Sequence, residues 1–376
     1  MKIYDVLIVG AGASGLFFAS HLPKNLKIAI LDTNPKIAQK LRISGGGRCN
    51  FTNTIMSYDN FLANGEFVEY FLDNFTKDDM LKFMKAHNIE VEIKKDRYYF
   101  CKNSSNDLLD VLKKLTTHAD FYLNTQVLSI SKDELFNINT IFETFMAKKV
   151  VVASGAKSFS NLGASDIGLD IAKSFNIKTK DFTPALVGLT LQKEQFWMRE
   201  LSGLSTKVAI DIDGKKIVED MLFTHKGISG PAVLSASLYW QKGTISIDFL
   251  PVQNILELIK NSKKLLSTQL PLPSRLSKAL LEALSIKDEP CDRIKDTQSL
   301  QKLHSYEFAP AGNFGFSKAE VCKGGVLSSE LNPFTLESLD VSGLYFIGEV
   351  VDVTGELGGY NIQWAFSSAF VCANSM

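Results

Sequence analysis

The stretch "YDVLIVGAGASGLFFASHLPKNLKIAILD", Tyr4 to Asp32, limits the fold more than any other part of the chain. It opens with a short apolar, β-branched run ending at Gly10, a pattern that predicts a buried parallel strand. Gly10, Gly12 and Gly15 follow in GxGxxG spacing, residues 14–22 predict a helix, and Lys27 to Asp32 predict a second strand closed by an acid. Each part has a task if the turn holds a dinucleotide. Gly10 permits the tight turn, Gly12 lets the backbone approach a pyrophosphate, and Gly15 lets helix and strand pack closely. The helix N-terminus offers N–H groups and a partial positive charge to phosphates. Asp32 is placed to accept a hydrogen bond from a ribose hydroxyl, and its charge repels a 2′-phosphate at the same place. A glycine-rich turn in some other α/β fold leaves the position of that acid unexplained.

The 376 residues suffice for two or three domains with a well-buried core. Lys plus Arg and Asp plus Glu both number 41, so the formal net charge is zero. That balance gives no electrostatic reason to expect nucleic acid or an anionic membrane as the main partner. No apolar run is long enough to span a bilayer. The N-terminal apolar run enters a glycine turn, not a cleavage site, and reads as a strand. The five cysteines, Cys49, Cys101, Cys291, Cys322 and Cys372, are scattered and form no CxxC, which argues against a disulfide framework or a zinc ribbon. The expectation is a soluble cytoplasmic protein with a small-molecule substrate, no metal, no nucleic acid and no membrane partner.

Downstream, "NPKIAQKL" (34–41) reads as a helix. Helices are expected near 66–75 and 77–87, the second opened by Thr76 and Asp79 as a capping box. A strand region spans 89–100, a helix 105–116 and a strand 120–131. "KKVVVASGA" predicts another buried strand, closed by Ser154 and Gly155. A different segment starts near residue 184. There "KVAIDIDGKKIVE" predicts a hairpin with a type I′ turn at Asp213-Gly214, and "TISIDF" a further strand. From 252 to 305, "NILELIKNSKKLLS", "SRLSKALLEALS" and "TQSLQKLHSY" read as amphipathic helices. No second GxGxxG occurs, so the N-terminal site holds the only evident dinucleotide.

Two further stretches decide which dinucleotide. "SGGGRCNFTN", Ser44 to Asn53, sets three glycines beside an arginine and two asparagines. "GLYFIGEVVDVTGELGGYNIQWAFSSAF" gives a late strand ending in Gly348-Glu349, then a glycine-rich loop leading into a helix near Asn361. A flavin cofactor uses both features: a carboxylate for its ribityl hydroxyls, and a helix N-terminus for negative charge on the reduced ring. These segments, with "GAGASG", "LFTHKGISGPAVLSAS" and "KGGV", resemble a bacterial FAD-dependent oxidoreductase family that includes aminoacetone oxidase and the BaiN bile-acid oxidoreductase. The resemblance runs over nearly the whole chain. It implies an α/β fold with a Rossmann-like FAD-binding domain of the glutathione-reductase-related type, an inserted β-rich domain and a small helical domain. The implied division is 1–185 and 323–376 for the FAD-binding domain, 186–250 for a β-rich substrate domain, 251–305 for a helical subdomain and 306–322 for strands returning to the β-rich domain.

The resemblance also implies non-covalent FAD held by Gly10, Gly12, Ala13, Ser14, Gly15, Asp32, Thr33, Lys40, Gly45, Gly46, Gly47, Arg48, Asn50, Thr52, Val127, Ser154, Gly155, Gly325, Glu349, Gly359, Asn361 and Ile362. No catalytic residue is identified. Hydride transfer at the flavin needs little help from side chains. Two oxidoreductase readings stand. In one, an amine reduces FAD and oxygen reoxidises it. In the other, NADH or NADPH is a transient reductant and an activated C=C bond is reduced. A non-catalytic or macromolecule-modifying FAD protein is the third. His225 lines a substrate pocket or holds a turn. Cys49 reads as a packed side chain in preference to a redox partner of the flavin, since no second cysteine is expected nearby. Cys101, Val187-Gly188, Cys322 and Ala369 depart from the family pattern.

Overall fold

Strand Ile3–Val9 sits inside a parallel sheet because Val6 to Val9 are apolar on both faces and buried. A computed structural model describes residues 2–159 and 162–376. In it this strand pairs in parallel with Ile28–Leu31 on one side and with Thr144–Val152 on the other, Val9 lying opposite Leu31 and Val152. Asp120–Tyr122 extends the first side, also in parallel. The long strand Thr144–Val152 divides its outer edge between two partners. Its first half pairs antiparallel with Phe136–Thr140, which turns back into Val127–Lys132. Its second half pairs in parallel with Leu344–Phe346.

This order has a functional consequence. Four neighbouring parallel strands end at one edge of the sheet, and within two residues of their ends come Asp32, Gly10, Ser154 and Gly348, the last two followed by Gly155 and Glu349. Ligands of open α/β sheets bind outside such carboxyl ends. The edge is held by backbone bonds, Gly10 N donating to Leu31 O (2.8 Å), Ala153 N to Val9 O (2.8 Å) and Ile347 N to Val152 O (3.0 Å).

Helix Ala13–His21 covers the sheet together with the C-terminal helix Tyr360–Asn374. Both are apolar nearly all round, as helices buried on every side must be. Phe17 is the hub, with ring centroids 4.5 Å from Phe366, 5.2 Å from Phe83 and 5.3 Å from Phe75. Most buried polar groups of the C-terminal helix are paired, Gln363 Oε1 being an exception. Gln363 Nε2 and Ser367 Oγ both donate to Phe75 O, and Trp364 Nε1 donates to Gly348 O. Helices Gly65–Asn74 and Lys77–Ala86 complete this face, and the Thr76–Asp79 capping box forms as expected. A small antiparallel sheet of Asn50–Asn53, Tyr98–Cys101 and Val91–Lys94 stands beside the glycine-rich loop.

The chain forms two compact units, one of residues 1–184 and 320–376, the other of 185–319. In the second, seven strands form an antiparallel sheet, and Asp213 and Gly214 take the positive φ of a type I′ turn between Ser205–Ile212 and Lys215–Thr224. Helices Pro231–Tyr239 and Ser274–Ala283 share one apolar core with that sheet, Leu276 and Leu280 joining Val208, Ile210 and Phe223.

Several sequence expectations need correction. Residues 34–38 are not helical: the helix starts at Gln39, because Ala38 has φ 52°. The strand region 89–100 is a hairpin turning at Lys95 and Asp96, both at positive φ. The expected strand 120–131 is two strands. The expected helix over 254–267 is two short ones, Ile255–Ile259 and Leu266–Gln269, separated at Asn261, whose φ of 60° ends the first. Strand Phe136–Thr140 has no counterpart in the sequence reading.

Phe17→Ala removes the aromatic hub from a fully buried site and is expected to cost about 3–5 kcal/mol in denaturant unfolding. A loss below about 1 kcal/mol would mean that the two helices are held elsewhere.

Candidate functional site

The first turn does what its glycines suggest. Gly10 has φ 111°, and a Cβ there would stand 2.4 Å from Ala153 O. A Cβ on Gly15 would meet Gly10 O at 2.1 Å, so strand and helix touch through glycine. Gly12 differs: a Cβ there meets nothing within 4 Å, and it caps the helix with no side-chain bond to the first turn. The first turn of the helix, whose N–H groups lack intrahelical partners, therefore opens onto free space at Gly12. Ala13 and Ser14 start the helix. Ser14 Oγ lies against Gly348, where a Cβ would come within 2.6 Å, so the early and late glycine turns are in contact.

Asp32 sits at the end of the second strand. Its Oδ2 accepts from Ala11 N and its Oδ1 from Asn34 N, each at 2.8 Å. Each oxygen keeps a second lone pair. Thr33, next to it, is exposed. Val127 is buried just after Thr125, whose N–H donates to Asp32 O.

Glu349 and Lys40 form the centre of the site. Lys40 Nζ donates to Glu349 Oε1 (2.9 Å) and Oε2 (2.7 Å) and to Ser158 Oγ (2.6 Å). Glu349 Oε1 also accepts from Cys322 N at 3.1 Å. Gly155 lies beside it, an added Cβ meeting only Glu349 Oε2 at 3.8 Å, and Ser154 precedes it at the strand end. Gly325 has φ 143°, and a Cβ there would stand 2.5 Å from Asp352 N. Ser158 and Cys322 belong to this network although neither was among the expected site residues. Burial first, and then the Glu349 carboxylate, push the Cys322 thiol up to about 11, so it is neutral at physiological pH.

The glycine-rich loop closes the other side. Gly45, Gly46 and Gly47 all have positive φ, a run that only glycine adopts without strain. A Cβ on Gly45 would meet Asn50 N and the Phe100 ring, whereas Gly46 and Gly47 face open space. Arg48 Nη1 pairs with Glu92 at 2.8 Å. The Asn50 amide, oriented to satisfy its bonds, donates to Thr52 O and Tyr99 O and accepts from Gly359 N. Asn53 Nδ2 donates to Gly358 O. This loop and the C-terminal helix start are thus stitched together. The Asn361 side chain bonds Gly355 N and O, and half-buried Ile362 follows it. The Thr52 hydroxyl is fully buried without a partner.

Other expected residues fall elsewhere. Cys49 does have a cysteine neighbour: its thiol hydrogen-bonds to that of Cys101, both fully buried, and that contact and burial push it well above its ordinary value. His225 is exposed in its turn, and Thr224 Oγ1, accepting from Lys226 N and Gly227 N, is what holds the turn. Tyr360 and Trp364 are packing residues, buried against Phe61 and against Phe67 and Phe71. A cleft of about 610 Å³ lined by Leu81, Lys85, Asn88, Ile93 and Tyr99 contains none of the expected site residues. Among the described residues no helix is long and apolar enough to cross a membrane.

An uncapped helix N-terminus before open space, a second one at Gly359 without a side-chain cap, outward-facing glycines and a buried unpaired hydroxyl together fit a long phosphate-bearing cofactor. Comparison with known proteins agrees. Residues 4–375 match the HI0933-like protein Rossmann domain, and the chain belongs to that family. It is an FAD-dependent oxidoreductase with the expected Rossmann-like FAD-binding fold. A ribosomal RNA dihydrouridine synthase of Haemophilus influenzae is 37% identical, covering 98% of both chains. One of Escherichia coli K12 is 36% identical over 100% of this chain and 98% of its own. A 3-dehydro-bile acid delta(4,6)-reductase of Clostridium scindens is 28% identical, covering 98% of both. In fold the chain resembles E. coli quinol fumarate reductase FrdA (TM-score 0.53, 14% identity, 100% of this chain and 70% of that one). A flavocytochrome c3 fumarate reductase is similar (TM-score 0.52, 14% identity, 99% and 78%). Beside relatives named for ribosomal RNA, the expectation of no nucleic-acid partner lacks support.

The raised Cys322 pKa has a sign. Between about pH 9 and 11 the thiol ionises in the unfolded chain and not in the folded one, so the folded state holds more protons and stability falls as pH rises. Denaturant unfolding at rising pH should show up to about 1.4 kcal/mol lost per pH unit from this thiol, a loss absent in Cys322→Ser. An equal loss in the variant would assign the effect elsewhere.

Proposed function

We propose that this member of the HI0933-like family reduces a carbon–carbon double bond conjugated to a carbonyl, and that its substrate is a uridine in ribosomal RNA. One observation carries the proposal: relatives with unlike substrates are named for the same kind of bond change. Dihydrouridine is uridine with its C5=C6 bond reduced, and that bond is conjugated to the C4 carbonyl. A delta(4,6)-reductase of a 3-dehydro bile acid is likewise named for double bonds in conjugation with a ketone. The relatives named for ribosomal RNA are 36% and 37% identical, against 28% for the bile-acid reductase, which favours the RNA base.

In this reading Gly10 to Gly15 hold the FAD pyrophosphate and Asp32 the adenosine ribose. Glu349 and Lys40 hold the ribityl chain, while Gly45 to Gly47, Asn50, Thr52 and the backbone from Gly359 to Ile362 hold the ring. Bound FAD would supply hydride chemistry, in which NADH or NADPH gives up two electrons as hydride for the β-carbon, C6, and a proton from solvent completes C5. The Gly359 helix N-terminus stabilises negative charge at the ring end. Lys40 balances the Glu349 carboxylate, and the neutral Cys322 thiol adds no charge to the network. The mutual anchoring of Asn50, Asn53 and the Gly358–Gly359 loop keeps the ring side rigid before substrate arrives.

Two experiments test this. FAD-loaded protein with NADPH and in vitro transcribed ribosomal RNA should yield dihydrouridine, detected by mass spectrometry of the nucleosides. Peroxide formation with an amine and no dihydrouridine would instead favour the oxidase reading. Gly12→Val should fold with near-unchanged unfolding, since its Cβ meets nothing in the protein, yet retain no FAD. A yellow Gly12→Val protein would remove the pyrophosphate from this turn.

A further inference from the structure

The hairpin joining Val91–Lys94 to Tyr98–Cys101 carries "KKDRYYFCK", Lys94 to Lys102: four cations and one acid around three consecutive aromatics in a chain of zero net charge. Alternation along the strands sorts them into two faces. Lys94 lies opposite Tyr98 and Glu92 opposite Phe100, and these four share a face. That face adjoins the candidate site. The Phe100 ring lies where a Cβ on Gly45 would come within 2.9 Å, and the Tyr98 ring where one on Gly358 would come within 2.6 Å. Cations stand over both rings. Lys94 Nζ is 5.0 Å and the Arg48 guanidinium 5.9 Å from the Phe100 centroid, and Arg97 is 4.6 Å from that of Tyr98. Of these four residues Glu92 is the acid, paired with Arg48 at 2.8 Å and Lys94 at 4.0 Å. Tyr98 and Phe100 are only half-buried.

We propose that this face docks the single-stranded RNA flanking the target uridine, a role that rests on the RNA reading above. Phosphates are drawn to Arg48, Lys94, Lys95 and Arg97, and unstacked bases lie on the rings of Tyr98 and Phe100. The charge that matters is local, so zero net charge does not oppose it. The placement also explains why such an element adjoins the glycine loops: the strand it holds passes directly over the site where one base must be presented.

The test is fluorescence anisotropy of full-length, FAD-loaded protein with a fluorescein-labelled oligouridylate at several salt concentrations. Relative to wild type, K94E/R97E should bind about tenfold or more weakly, with a log–log salt slope shallower by about 1.4, the contribution of two phosphate contacts to a single strand. K94R/R97K should restore binding, and K113E/K278E, on other helices, should change it less than about twofold. Flavin absorbance checks that each variant holds its cofactor. If wild type binds and K94E/R97E binds equally well, the hairpin proposal fails while the RNA reading stands. If wild type binds neither the oligonucleotide nor full-length ribosomal RNA transcripts, the RNA reading itself fails.

Discussion

An ammonium from residue 40 and a carboxylate from residue 349 meet at the carboxyl edge of one parallel sheet. They are 309 residues apart in the chain, and their contact at 2.7 Å is partly shielded from water. A charge pair in such a place is held by its neighbours: Ser158 Oγ takes one donor of the lysine, and the Cys322 amide supplies a further donor to the carboxylate. Removing either partner leaves the other charge uncompensated. The placement depends on a short strand, Leu344–Phe346, that joins the second half of Thr144–Val152 and delivers Gly348-Glu349 beside Ser14. Trp364 and Ser368 of the last helix then fix Gly348 by its carbonyl and its amide.

This arrangement explains why the chain uses glycine so unevenly. At Gly10 and Gly15 the reason is protein against protein, since a methyl group would strike backbone at 2.4 and 2.1 Å. At Gly46 and Gly47 there is room for a Cβ, and the reason is the left-handed backbone; only at Gly12, with room to spare and an ordinary φ, does nothing in the polypeptide call for glycine. A pyrophosphate lying over the first turn would account for Gly12, where the protein itself sets no such demand.

Much of the fold was legible in the sequence, for local reasons. The strand, glycine turn, helix, strand and acid from Tyr4 to Asp32 are specified by residues within a few positions of each other, and so is the Asp213-Gly214 hairpin. What escaped reading is non-local or hangs on a single dihedral. Ser158 has no motif of its own and joins Lys40 only through the folded sheet edge. Cys49 and Cys101 are remote in sequence and become neighbours through the small sheet beside the glycine loop. The helix over 34–41 and the long helix over 254–267 have suitable composition, yet Ala38 and Asn261 take left-handed backbone and end those helices. Zero net charge, an average over the whole chain, hid the basic and aromatic hairpin between 91 and 101.

That both ends of the polypeptide close around one cofactor is tested most directly by flavin content. Protein from riboflavin-sufficient cells, denatured to release its flavin, should give one FAD per chain by absorbance and mass. Protein that emerges without flavin, and takes up none when FAD is supplied, would contradict it.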